Sequence, residues 1–122
     1  HGGELIAMAG SATAAIFFSL AMYTSVSKRD FSFMGNFLFA GLILLILASI
    51  ANIFLAIPAM AIAISAIGAL LFTGYLLFDL SRIVNGGETN YITATLAVYL
   101  DIYNLFVSLL NLLMIFTGND RD

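Results

Sequence analysis

From Phe31 to Phe78 this chain carries no aspartate, glutamate, lysine or arginine. One crossing of a bilayer uses roughly 20 residues at about 1.5 Å each, so the stretch is too long for a single span. Composition points the same way: 62% of the 122 residues are hydrophobic, 9% are charged, and mean hydropathy is +1.09. A soluble domain of this length would carry far more polar surface. Strands of a membrane barrel would alternate polarity at every second residue, and no such alternation runs through this sequence. The chain reads as an all-α integral membrane protein whose first partner is the lipid bilayer.

Four transmembrane helices are expected, over about residues 4–27, 31–57, 59–84 and 91–116, in one transmembrane domain with a polar tail at 117–122. The first helix ends at "SKRD". Pro58, which has no backbone N–H to donate, is expected to stop the second. Asn85, Gly86 and Gly87 suit a left-handed stop for the third. Lys28, Arg29 and Arg82 lie beside the first and third connections, with Arg121 on the other side. The positive-inside rule then places loops 28–30 and 85–90 in the cytoplasm and both chain ends outside, with Tyr23 and Tyr91 at the inner interface. The chain starts at His1 rather than methionine, which suggests a processed or partial chain. It has no cysteine, no basic cluster for nucleic acid, and one histidine at its first residue, so metal chemistry is poorly served and no cofactor is expected.

Small residues recur every fourth position at Ala7, Ser11, Ala15 and Ser19 in the first helix, and at Ala61, Ser65, Ala69 and Thr73 in the third. Such rows let membrane helices approach closely. Polar residues are patterned too. Asp101, Asn104, Ser108 and Asn111 share one face of the fourth helix; Ser65, Gly68, Phe72, Tyr75, Asp79 and Arg82 share one face of the third. Ser49 and Asn52 add to these near the outer end of the second. The faces read either as a shared polar interior or as hydrogen-bonding contacts between helices without a pathway.

Two carboxyls stand out. Asp101 lies roughly 15 Å into its helix and cannot reach the interface, whereas Asp79 lies about a turn and a half from its helix end. Burying a carboxylate in a bilayer costs about 2.5–3.5 kcal/mol even on insertion-based scales. Asp79 has Arg82 three residues on as a local partner, and Asp101 alone is explicable as a protonated acid bonded to a neighbour. The third and fourth helices are also antiparallel neighbours, so the two acids can share a site. Two carboxylates in a low-dielectric place cannot both ionise cheaply, and the pair would hold a proton at low pH and be ionised, or hold a cation, at higher pH. A two-aspartate intramembrane protease needs G-x-G-D. Here Asp101 follows "VYL" and Asp79 follows "LLF", so the chain is not expected to be an enzyme.

"FDLSRIVNGGETNYITATLAVYLDIYNLFVSLLNLL", Phe78 to Leu113, resembles the C-terminal signature of the Bax inhibitor-1 (TMBIM) family. "GGETNYI-x-AT" and "YN-x-FVSLL" are most similar to its bacterial YccA-type branch, and "ELIAMAG", "KRDFSFMG" and "ANIFLAIPA" fit as well. The resemblance implies a seven-helix bundle of which this chain is the last four helices. The missing N-terminal helices are then partners, and the inner membrane of a bacterium is the location. It implies a pH-sensitive calcium leak, with Asp79 and Asp101 as gating acids and as a Ca2+ site, and Ca2+ as the transported ion. On that reading Tyr75, Arg82, Asn104, Ser108 and Asn111 line the polar path. The YccA-type branch implies the alternative of a modulator and substrate of the membrane protease FtsH without transport activity.

Overall fold

A computed structural model describes residues 2–87 and 89–118. It contains α1 (Gly2–Ser27), a single 3₁₀ turn (Ser32–Met34), α2 (Gly35–Leu55), α3 (Pro58–Val84) and α4 (Tyr91–Gly118). All four α-helices are long and apolar enough to cross a membrane. Inside lipid a helix satisfies every backbone group within its own segment, which is why a sequence this apolar settles into helices. Arg121, which carried the outer side of the charge count, and most of the expected tail lie outside the described residues. Of that tail, Thr117 and Gly118 belong to α4.

The second connection departs from expectation. Pro58 does not end α2; it is the first residue of α3, a position where its missing N–H and fixed φ fit the helix. The stop comes two residues earlier. Ala56 turns left-handed (φ 51°) and donates its N–H to the Asn52 carbonyl at 2.7 Å, while Asn52 Oδ1 accepts the Ile57 N–H at 2.9 Å. A Cβ in that conformation is strained. Ala56→Gly is therefore expected to raise stability in detergent by about 0.5 kcal/mol, read as a higher thermal midpoint. The other two stops follow the same logic. Lys28 (φ 55°) closes α1 by donating to the Thr24 carbonyl, and Gly86 (φ 81°) closes α3 while Gly87 donates to the Arg82 carbonyl at 2.8 Å.

α3 packs against all three other helices; α1 packs on α3 and α4, and α2 on α3 alone. The α2–α3 seam is tight because glycines meet large side chains across it. A Cβ on Gly35 would lie 3.2 Å from Phe78, one on Gly41 3.0 Å from Leu71, and one on Gly74 3.0 Å from Leu38. The interior is not an oily one. Buried positions include Thr13, Thr24, Ser65, Asp79, Ser81 and Asp101 beside Leu38, Leu71, Leu76 and Leu105, while Phe37, Phe54, Phe18 and Val26 face outward. In lipid the apolar residues lose nothing by facing out, so packing and polar contacts decide what turns in.

Two expectations about faces change here. Ala7, Ser11, Ala15 and Ser19 are exposed; the inward stripe of α1 is Leu5, Ala9, Thr13 and Thr24. On α3, by contrast, Ala61, Ser65, Ala69 and Thr73 are all buried or half-buried. Ser49 and Asn52 do not join a shared interior either. Ser49 donates to the Leu45 carbonyl at 2.8 Å and Asn52 caps its own helix. Thr13, Thr24 and Thr73 likewise donate to carbonyls of their own helices, a local solution open to any Ser or Thr in a helix.

Candidate functional site

The site lies where the polar faces of α3 and α4 meet. Gly68 sets the spacing: a Cβ there would stand 2.9 Å from Ser108 Oγ, so the two helices cross with only the Ser108 side chain between them at that level. Towards the end carrying loops 28–31 and 85–90, Asp79 and Asp101 are both buried, at 9% and 7% relative exposure. Their side chains lie within hydrogen-bonding reach of each other. Asp101 Oδ2 is fully enclosed and receives no bond from an amide, hydroxyl or guanidinium donor. Two carboxyls hydrogen-bond only while one of them carries a proton, since an ionised carboxylate is an acceptor alone.

Two other predicted residues lie beside it. Tyr75 is half-buried, stacks on Phe72 with ring centroids 6.1 Å apart, and lies near both Asp79 and Asp101. Arg82 Nη1 stands 3.9 Å from Asp79 Oδ1, at the outer limit for an ion pair, and its guanidinium lies over the Phe78 ring at 5.5 Å. So loose and partly exposed a pair neutralises little. Ser108 sits at the Gly68 crossing. Asn104 and Asn111 are half-buried on α4, farther along from the acids.

A cavity of about 40 Å³ adjoins Asp79 and Arg82, lined also by Ile83, Thr93, Ala94 and Ala97. It has room for one water with polar neighbours on two sides. Thr93, Ala94 and Ala97 carry only a weak signal in the sequence: three small residues at the start of an otherwise large-residue helix.

A latch one half-turn beyond Asp79 was not expected from the sequence. Ser81 is completely buried; its Oγ donates to the Arg29 carbonyl at 2.8 Å and accepts the Phe31 N–H at 3.2 Å. Asn85 Nδ2 donates to the same carbonyl at 3.0 Å and to Ser81 Oγ at 3.3 Å. The connection between α1 and α2 is thereby fastened to the end of α3. Within it, the Ser32 backbone N–H and side chain hold the Asp30 carboxyl below the usual carboxylate range. Ser81→Ala would leave the half-buried Phe31 N–H without its side-chain acceptor and the Arg29 carbonyl with Asn85 alone. It is expected to cost about 0.5–1.5 kcal/mol by unfolding in detergent, and Asn85→Ala less, because Asn85 is exposed.

The whole arrangement has counterparts in known sequences. Residues 1–118 match the family described as "Inhibitor of apoptosis-promoting Bax1". The chain belongs to the Bax inhibitor-1 family. Among its relatives, an "Uncharacterized membrane protein" of Vibrio cholerae is 53% identical over 120 residues, covering 98% of this chain and 54% of that protein. The "Modulator of FtsH protease YccA" of Escherichia coli is 47% identical over 111 residues, covering 91% of this chain and 51% of that one. A Pseudomonas aeruginosa relative is 40% identical over 120 residues, with 98% and 54% covered. This Bax inhibitor-1 chain thus spans about half the length of the curated relatives it matches. A second Escherichia coli relative is named "Inner membrane protein YccA", in keeping with the four spans found here.

Proposed function

We propose that the Asp79–Asp101 pair is a proton-operated gate for the leak of a cation, Ca2+ in the first instance, across a bacterial inner membrane. The observation that carries this reading is the contact of two buried carboxyls across α3 and α4. With one proton shared, the pair ties the two helices together. Loss of that proton leaves two negative charges in a poorly screened place, pushing the helices apart and drawing in a cation. The positive-inside rule, applied to Lys28, Arg29 and Arg82, supports loops on the cytoplasmic side, and on this reading the cavity beside Asp79 lies on that side of the pair. Ca2+ takes six to eight oxygens in a holding site. Among the described residues no three acids or histidines gather, so two carboxylates make a point of passage rather than of storage.

The test is Ca2+ uptake by proteoliposomes at about pH 6 and about pH 8. Uptake is expected to be greater at the higher pH. Equal uptake at both, from well-folded protein, would remove the gate.

A second reading is favoured by the name of the Escherichia coli relative: this chain binds an FtsH-type membrane protease and limits its access to other substrates, with no transport. Its discriminator is capture of the protease by the Asp101→Asn variant. A modulator keeps its partner whatever the state of the acid pair.

A further inference from the structure

The acid pair lies well away from the crossing that spaces its helices. Between Gly68, which lies against Ser108 of α4, and Asp79 there is roughly 16 Å of helix. Over that length a small turn of α3 about its axis carries the Asp79 carboxyl away from Asp101. Arg82, at 3.9 Å from Asp79, is too loose to resist such a turn.

The contacts that oppose it are on another side of α3. At about 100° per residue, Phe78, Ser81 and Asn85 fall within about 60° of arc, centred roughly 130° from Asp79. Gly35, the first residue of α2, admits the Phe78 ring, 3.2 Å from where a Cβ would stand. Beside it, Ser81 Oγ and Asn85 Nδ2 donate to the Arg29 carbonyl, and Ser81 Oγ accepts the Phe31 N–H. The connection so gripped is braced at both ends. Lys28 closes α1 at φ 55°, and Asp30 Oδ1 accepts the Ser32 N–H at 2.9 Å. Ser81 thus uses its hydroxyl as donor and acceptor on one backbone segment, and such directional bonds fix the rotation of a helix where apolar contacts do not.

Among the described residues, no other ionisable side chain is buried with the pair. Half-buried Tyr75 and Arg82 lie beside it on α3, and α2 carries no ionisable residue. Glu4 and Tyr23 of α1, Tyr91, Tyr99 and Tyr103 of α4, and Lys28, Arg29 and Asp30 of the connection are all exposed.

We infer that Ser81 is the positioning residue of the acid pair: by fastening the last turns of α3 to the backbone of residues 29–31, it holds Asp79 facing Asp101 and sets the pH at which their shared proton is released. The inference rests on the shared proton of the proposed gate. Without the latch the carboxyls separate. A proton is then shared less well and a second negative charge is opposed less, and both effects release the proton at lower pH.

The test is an infrared titration of the protonated carboxyl in reconstituted protein, with the band assigned by its loss in Asp101→Asn. It reads the proton whether or not an ion passes. Ser81→Ala is expected to lower the titration midpoint by roughly half to one pH unit. Asn85→Ala should lower it less, and Ser81→Thr, which keeps a hydroxyl, should bring it back towards the parent value. Leu38→Ala, buried on α2 against Gly74, loosens the α2–α3 seam without touching a latch bond. It should lower the thermal midpoint and leave the titration unchanged. An unshifted titration in Ser81→Ala, or an equal shift in Leu38→Ala, would overturn the inference. If Ser81→Ala does not fold, the exposed Asn85 decides, and no shift in Asn85→Ala would overturn it as well. A band that responds to Ser81 while Ca2+ uptake is equal at both pH values removes the gate and keeps the positioning role. No band from Asp101 at any pH removes both.

Discussion

Asp101→Asn is expected to abolish the pH dependence of Ca2+ uptake, leaving the same flux at about pH 6 and about pH 8. Asparagine fills the same space and keeps a hydrogen-bond donor for Asp79, so the α3–α4 contact survives. What disappears is the proton that could be lost. Asp79→Asn should do the same from the other helix, and the two variants together should differ little from either alone, because they remove one shared device. If the pH dependence persists in both, the pair is a structural contact and some other group senses protons. Arg82 gives a sharper contrast. At 3.9 Å and partly exposed it holds Asp79 weakly, so Arg82→Gln should shift the pH response while keeping it.

Gly68→Leu is expected to do the greatest structural damage of any single change at this site. Even a Cβ would stand 2.9 Å from Ser108 Oγ and 3.6 Å from Leu45 Cδ2. A leucine must therefore force α3 from α4. Overpacking of this kind costs about 1–3 kcal/mol and sometimes more, and here it also separates Asp79 from Asp101. Both the unfolding midpoint in detergent and the pH response should fall. Gly68→Ala isolates the steric cause. Alone it should destabilise, because Ser108 must move. Combined with Ser108→Ala it should recover fully, since Ser108 Cβ would be 3.8 Å away, in ordinary contact. Replacing a mid-helix glycine even brings roughly 0.5–1 kcal/mol of its own. A double variant as unstable as Gly68→Ala would mean that Ser108 is not what the glycine accommodates.

Both predictions use residues that the pattern of the chain marks out. The uncharged run from Phe31 to Phe78 forces membrane helices, because in lipid no other arrangement of so few polar residues satisfies the backbone. The three- and four-residue spacing of Asp101, Asn104, Ser108 and Asn111, and of Gly68, Tyr75, Asp79 and Arg82, fixes which residues share a face. A short connection then makes those two faces neighbours. The Phe78–Leu113 block carries the family with it.

Other features were not legible, for reasons that differ. Rows of small residues look alike wherever they occur, and only packing shows that Ala61–Thr73 turns inward while Ala7–Ser19 turns out. Burial gives little guidance in a bilayer, where apolar side chains gain nothing by hiding. Helix stops at Ala56 and Lys28 escape a reading by residue type because neither is a glycine or asparagine; their left-handed backbone is imposed by the turns around them. Ser81 reaches the Arg29 carbonyl across more than fifty positions, a contact with no local signature. By itself, then, the sequence determined that the chain lives in lipid, that it is helical, and that two acids lie on the polar faces of consecutive helices, since these follow from solvent and period. Only the tertiary structure decided which glycine lies at the α3–α4 crossing, how the loop is latched beneath the acids, and that the two acids come together, because those depend on distances between segments that the chain pattern does not encode.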